Sequence, residues 1–236
     1  MTRAWLLAAF LVVFGNAMPP LIGGTARLPG GSWAFIVAGA LLAGVSIAIS
    51  RDAGLGWTDL GIVGPLRYGA LGAGLGAAVA LVAVLAIPLA AAITGRSLTY
   101  EPLHGLPAVA LAAHIAFFLP LGDVLPEEIA FRGALVGLLA SASRRAAIVV
   151  GGAAFALWHT AVIVVTVADT TLGPPSPWFV PAILGALLVV FVGGALFAVL
   201  RLRTGTVATT IGAHWAFNAV VLLGFWSQMP ALPPAP

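Results

Sequence analysis

The chain contains no cysteine, and its ten basic residues are all arginine. Without cysteine there are no disulfides and no thiolate metal sites, and the redox compartment is unreadable. Charge is also scarce: seven acidic and ten basic residues make up 7% of 236 positions. A soluble domain usually carries about 25% charged residues. So few charges cannot cover a water-facing surface of this size, and lipid is the solvent that removes the contradiction. The net charge of +3 comes from arginines scattered one or two at a time between apolar runs. With no basic stripe and no interleaved aromatics, a nucleic-acid partner is excluded. No soluble domain, low-complexity tract or clear internal repeat is present either.

What is present is apolar sequence, 61% of the chain. Runs near the roughly 20 residues that cross a bilayer fall at Ala4 to Ile22, Ser32 to Ile49, Tyr68 to Thr94, Ala146 to Ala168, Phe179 to Leu200 and Val207 to Trp226. The first has an Arg3 flank but no clean small-x-small cleavage site, so it reads as a helix and not a signal peptide. Gly72 and Gly76 have the GxxxG spacing that suits close helix packing. A further segment, Leu106 to Ala140, would measure roughly 52 Å as a straight helix, against a hydrocarbon core of about 30 Å. Pro120 and Pro126 are the candidate breaks or kinks, giving one bent element or two short ones. The expected fold is all-α: a polytopic transmembrane bundle of about seven spans, eight if that segment crosses twice, around a buried polar site. Residues 1–105 read as N-terminal transmembrane helices, 106–226 as a catalytic helical core, and 227–236 as a Pro-rich disordered tail.

Arginine placement sets the orientation. With Leu106 to Ala140 as one crossing, Arg3, Arg51, Arg67, Arg144, Arg145, Arg201 and Arg203 share one side. Only Arg27 and Arg96 lie on the other. This predicts a multi-pass protein of the cell membrane with a cytoplasmic N-terminus and an external C-terminus. Two crossings there would remove most of the bias.

The informative stretch is Asp123-Val-Leu-Pro-Glu-Glu-Ile-Ala-Phe-Arg-Gly133. Each charge at the bilayer centre costs about 2.5–3.5 kcal/mol on insertion scales, so Glu127, Glu128 and Arg132 need compensation. Glu128 and Arg132, four apart, share a helix face and can pair. Glu127 points elsewhere, toward a cavity. Two neighbouring carboxylates in low dielectric titrate as a coupled pair, an environment that produces a general base. The plainer reading makes Asp123 a cap and the glutamates complements of a helix dipole. Apolar sequence on both sides, and Arg132 one turn on, weigh against it.

His159 lies in Phe155-Ala-Leu-Trp-His159, in the middle of its span. His214 and Asn218 lie in His214-Trp-Ala-Phe-Asn218, one turn apart on a single face. Alone, each could be a helix-packing polar group. Together, three segments place ionisable or amide groups inside apolar helices, and such groups face the bundle interior. His104 and His114 read as residues without chemistry. Asp123 reads as a cap more than as part of a site mouth. Trp57, Trp178 and Trp226 fall where an aromatic belt would lie, and Trp158 and Trp215 as candidate walls of the pocket.

These three motifs resemble the CPBP family of CAAX proteases and bacteriocin-processing proteins: EExxxR at Glu127 to Arg132, FxxxH at Phe155 to His159, HxxxN at His214 to Asn218. The resemblance covers roughly Asp123 to Asn218; the first hundred residues match only as apolar spans. It implies an intramembrane endopeptidase of the glutamate type. Glu127 with His159 would activate water, Glu128 and Arg132 would support the site, and His214 and Asn218 would stabilise the oxyanion. Phe155 would be a packing residue. The substrate would be a membrane-associated or lipid-modified protein or peptide. No obligatory cofactor is expected. HExxH spacing is absent, and a divalent metal such as zinc would have to take Glu127, His159 and His214 as ligands. A catalytically silent membrane partner and a proton-coupled transporter are the competing functions. Oligomeric state is not legible.

Overall fold

The computed structural model describes residues 2–21, 33–65 and 67–228. Arg27 and residues 229–236 of the Pro-rich tail lie outside them, while Ser227, expected in that tail, is the last residue of a helix. Helices carry the described chain: α1 (Thr2–Leu21), α2 (Trp33–Asp52), α3 (Arg67–Leu85), α4 (Ile87–Thr94), α5 (Ala108–Ala140), α6 (Arg144–Trp158), α7 (Thr160–Ala168), α8 (Phe179–Thr204) and α9 (Ala208–Ser227). Among the described residues, five spans are long and apolar enough to cross a membrane: α2, α3 with α4, α5, α8 and α9. The bent pair α6–α7 makes a sixth, and Thr2–Met18 of α1 is a shorter apolar helix. The expected seven spans therefore correspond to five or six full-length crossings plus α1.

The segment that was too long for a straight crossing stays a single helical element of 33 residues. His114–Val124 and Glu128–Leu135 adopt wide π-type turns. These close on i→i+5 bonds and favour functional sites. Pro120 lies within the first wide stretch, and Pro126 in the α-turn between the two. Neither residue has an N–H for the ladder; the helix is wide at Pro120 and keeps its α-turn at Pro126.

From Pro126 to Val136 every residue of α5 is buried except Ile129. A helix buried all round is surrounded by protein. Its apolar neighbours include Leu7 and Leu11 of α1, Leu42 of α2, Phe155 and Trp158 of α6 and Ala198 of α8. The charged stretch is thus enclosed by other helices and does not face lipid.

The longest helix seam joins α3 to α9. A Cβ added to Gly72 would overlap the Thr209 carbonyl, and one added to Gly76 the Ala213 carbonyl. These glycines let the two backbones touch, which sets the depth of His214. Gly76→Val must push α9 outward at the residue before His214. Overpacking of this kind costs about 1–3 kcal/mol. The expected result is a lower melting temperature in detergent, checked by thermal unfolding of the purified protein.

The arginine-rich ends meet on one side. Arg3 pairs with Asp52, Arg144 donates to the Leu202 carbonyl at 3.4 Å, and buried Arg201 donates to the Asp59 carbonyl at 2.6 Å. The starts of α1 and α6 and the ends of α2 and α8 therefore share a face of the bundle.

Candidate active site

Glu128 and Arg132 form the expected one-turn pair, with Arg132 Nη1 3.0 Å from Glu128 Oε1. Both side chains are about fully buried, at 0% and 1% exposure. A buried pair survives only where desolvation is offset by close geometry and further partners. Those partners are present. His214 Nδ1 lies 2.8 Å from the same Glu128 oxygen. The Arg132 guanidinium lies 3.9 Å from the Phe155 ring centroid and 5.0 Å from that of Phe197, close enough for cation–π attraction.

Glu127, 100° further round an ideal helix, leaves this cluster. Its carboxyl is buried, and its Oε2 lies 3.7 Å from His159 Nε2. It also lines a small cleft with about 30 Å³ of room between α1, α2, α5 and the α6–α7 bend, bounded by Phe14, Phe35, Leu42, Pro126 and Trp158. Asp123, one turn earlier, lines the same cleft. Because α5 is already helical at Ala108, Asp123 does not cap its start and belongs to the cleft wall instead.

His159 is not in the middle of a continuous span. The helix breaks there, with φ −85° and ψ 1°, and α6 and α7 meet at a bend of 46°. The break has a chemical consequence. In a regular helix the Phe155 carbonyl would accept the His159 N–H. Here that N–H turns to Ala156 O, three residues back, at 3.1 Å. The Phe155 carbonyl instead lies 2.8 Å from His159 Nδ1. A carbonyl can only accept, so Nδ1 carries the hydrogen, and in the neutral ring Nε2 presents a lone pair toward Glu127.

The same reasoning applies at His214. Its Nδ1 faces a carboxylate held by Arg132, so Nδ1 donates and Nε2 points away. Asn218 follows one turn later on α9, half-buried. Phe155 connects the two histidines, with its ring centroid 4.4 Å from that of His159 and 6.0 Å from that of His214. It was expected to be a packing residue, and it stands at the centre of the cluster.

Other expectations need correction. Trp158 does wall the cleft, stacked on Phe14 at 5.9 Å. Trp215 does not. It is exposed, and its indole N–H donates to Ile115 O at 2.9 Å, fastening α9 to α5. Among the described residues no three His, Cys, Asp or Glu side chains converge as a metal ion would need. Glu127 and His159 make a two-donor pair, while His214 is turned to Glu128.

Two contributors went unnoticed in the sequence. Phe197 packs on both Arg132 and His214, with no signal beyond being aromatic in an apolar helix. Asn16 bonds across the α6–α7 break. A lone amide inside an apolar run is a signal.

Residues 107–220, which hold every motif residue above, match the family described as Type II CAAX prenyl endopeptidase Rce1-like. No curated protein and no solved structure matches the chain. The described helices, the buried polar cluster and this match agree: the chain is a multi-pass membrane protein, and its residues 107–220 are similar to the Rce1-like type II CAAX prenyl endopeptidases.

Proposed function

We propose that the protein is an intramembrane endopeptidase that hydrolyses a peptide bond of a membrane-associated or lipid-modified protein or peptide. One observation carries the reading: two proton acceptors, Glu127 Oε2 and His159 Nε2, stand 3.7 Å apart beside a cleft, with the His tautomer set by the Phe155 carbonyl. Both aim at a common proton source, and the separation suits one water donating to each. As that water attacks the scissile carbonyl, the Glu127 carboxylate takes its proton and returns it to the leaving amine. Apolar walls exclude other water and strengthen each charge interaction.

The second half of the site acts on the carbonyl oxygen. Asn218 Nδ2 donates in every protonation state. His214, with Nδ1 committed to Glu128, donates from Nε2 only when the ring is protonated. Glu128 and Arg132 act on the reaction by holding His214.

A detergent-solubilised cleavage assay over a membrane-peptide library tests the reading. Wild type cleaves, while Glu127→Gln does not. Because the mechanism has no metal step, EDTA or phenanthroline is expected to leave the rate unchanged; a chelator-sensitive rate restored by zinc would contradict it. A silent scaffold would instead show no cleavage by wild type and full rescue of a knockout by Glu127→Gln. A transporter would show proton-gradient-dependent flux in liposomes.

The clustered arginine ends support a cytoplasmic N-terminus and an external C-terminus in the cell membrane. In this orientation the substrate meets Glu127 from the lipid through the cleft between α1, α2 and α5.

A further inference from the structure

The side chain of Asn16 on α1 replaces a missing backbone hydrogen bond at the α6–α7 break. In an unbroken helix the Ala161 N–H would donate to the Leu157 carbonyl. Here Asn16 Nδ2 donates to Leu157 O at 2.8 Å, and Ala161 N–H donates to Asn16 Oδ1 at 2.9 Å. The amide thus stands between the two backbone groups, satisfying both. An amide side chain offers a donor and an acceptor on separate atoms, and inserting a side chain into the ladder is a recognised cause of a sharp kink. Asn16 Nδ2 also donates to Val12 O at 2.8 Å, which fixes the amide against its own helix. Gly15 makes the approach possible: a Cβ there would overlap the Trp158 ring. The Thr160 hydroxyl donates to the same Leu157 carbonyl at 3.0 Å.

The two bridged residues flank His159 on either side. A closed ladder would straighten the helix and return the Phe155 carbonyl to the His159 N–H. The imidazole would then lose the acceptor that sets its tautomer and its direction toward Glu127. We infer that Asn16 is a positioning residue for His159, which makes α1, outside residues 107–220, part of the catalytic device. Asn16 acts through backbone and does not itself touch the ring. The inference rests on the catalytic reading of His159.

The test compares wild type with Asn16→Leu as full-length protein in detergent, with ¹⁵N-labelled histidine. Loss of signals in His159→Ala and His214→Ala assigns the two rings. The inference expects the His159 ring resonances of Asn16→Leu to shift while those of His214, held by Glu128, stay in place. It also expects kcat on the best library peptide to fall about 100-fold with KM unchanged, the scale of effect that an ångström of misplacement produces. Asn16→Asp keeps the acceptor for Ala161 but sets a carboxylate against the Leu157 carbonyl, and should fall between the two. If Asn16→Leu does not fold, the Asn16→Asp protein decides by the same two signals. Unchanged His159 resonances overturn the inference whatever the activity. A shifted His159 with wild-type kcat removes His159 from the reaction, which overturns the catalytic reading and the positioning role with it.

Discussion

Glu127→Gln is expected to lower cleavage by roughly 10³-fold or more, with insertion and melting close to wild type. A positioned general base contributes about 10²–10⁴-fold, and in a water-poor cleft no solvent base can substitute. The amide has the same size and still accepts a hydrogen bond, but it cannot take a proton. Glu127 is buried, and its partner His159 remains oriented by the Phe155 carbonyl, so the fold has little reason to change. His159→Ala should show a loss of similar size. The check is single-turnover cleavage of one library peptide beside thermal unfolding of each variant. If the Glu127→Gln protein cleaves at the wild-type rate, the mechanism fails.

Arg132→Leu is the largest expected stability effect. It leaves Glu128 charged, fully buried and short of its cation, which costs about 3–5 kcal/mol. That is a large share of the roughly 5–15 kcal/mol that usually holds a protein together. Loss of the guanidinium also empties the space between the Phe155 and Phe197 rings, 3.9 and 5.0 Å from it. The protein should express poorly and melt well below wild type. The double variant Glu128→Leu with Arg132→Met removes both charges while keeping volume, and should recover most of the melting temperature. Cleavage should not recover with it, because His214 Nδ1 loses the oxygen now 2.8 Å away. Stability restored without activity would separate the pair's structural role from its role in holding His214.

The fold class, the approximate spans and the Glu128–Arg132 pair were legible in the sequence because each rests on local periodicity. An apolar run of bilayer length has one stable backbone state in lipid, and a four-residue spacing puts two side chains on one face whatever surrounds them. Glu127 facing away from that pair follows from the same geometry. Segments with motif residues were identifiable too, because an ionisable group in an apolar run must be enclosed by neighbouring helices.

Which neighbours enclose it is a different matter. No spacing within the chain tells that His214 takes the same carboxylate oxygen as Arg132, that Phe155 lies between two histidines, or that Asn16 is matched to a gap 141 residues away. The break at His159 was equally hidden. Its local sequence continues as helix, and the bend depends on an amide supplied by another helix. Composition and periodicity by themselves determined that this chain lives in a membrane and carries its polar groups inward. Only the tertiary structure decided which of those groups meet, because contact between distant segments depends on helix packing at seams such as Gly76 against Ala213, and not on any pattern that repeats along the chain.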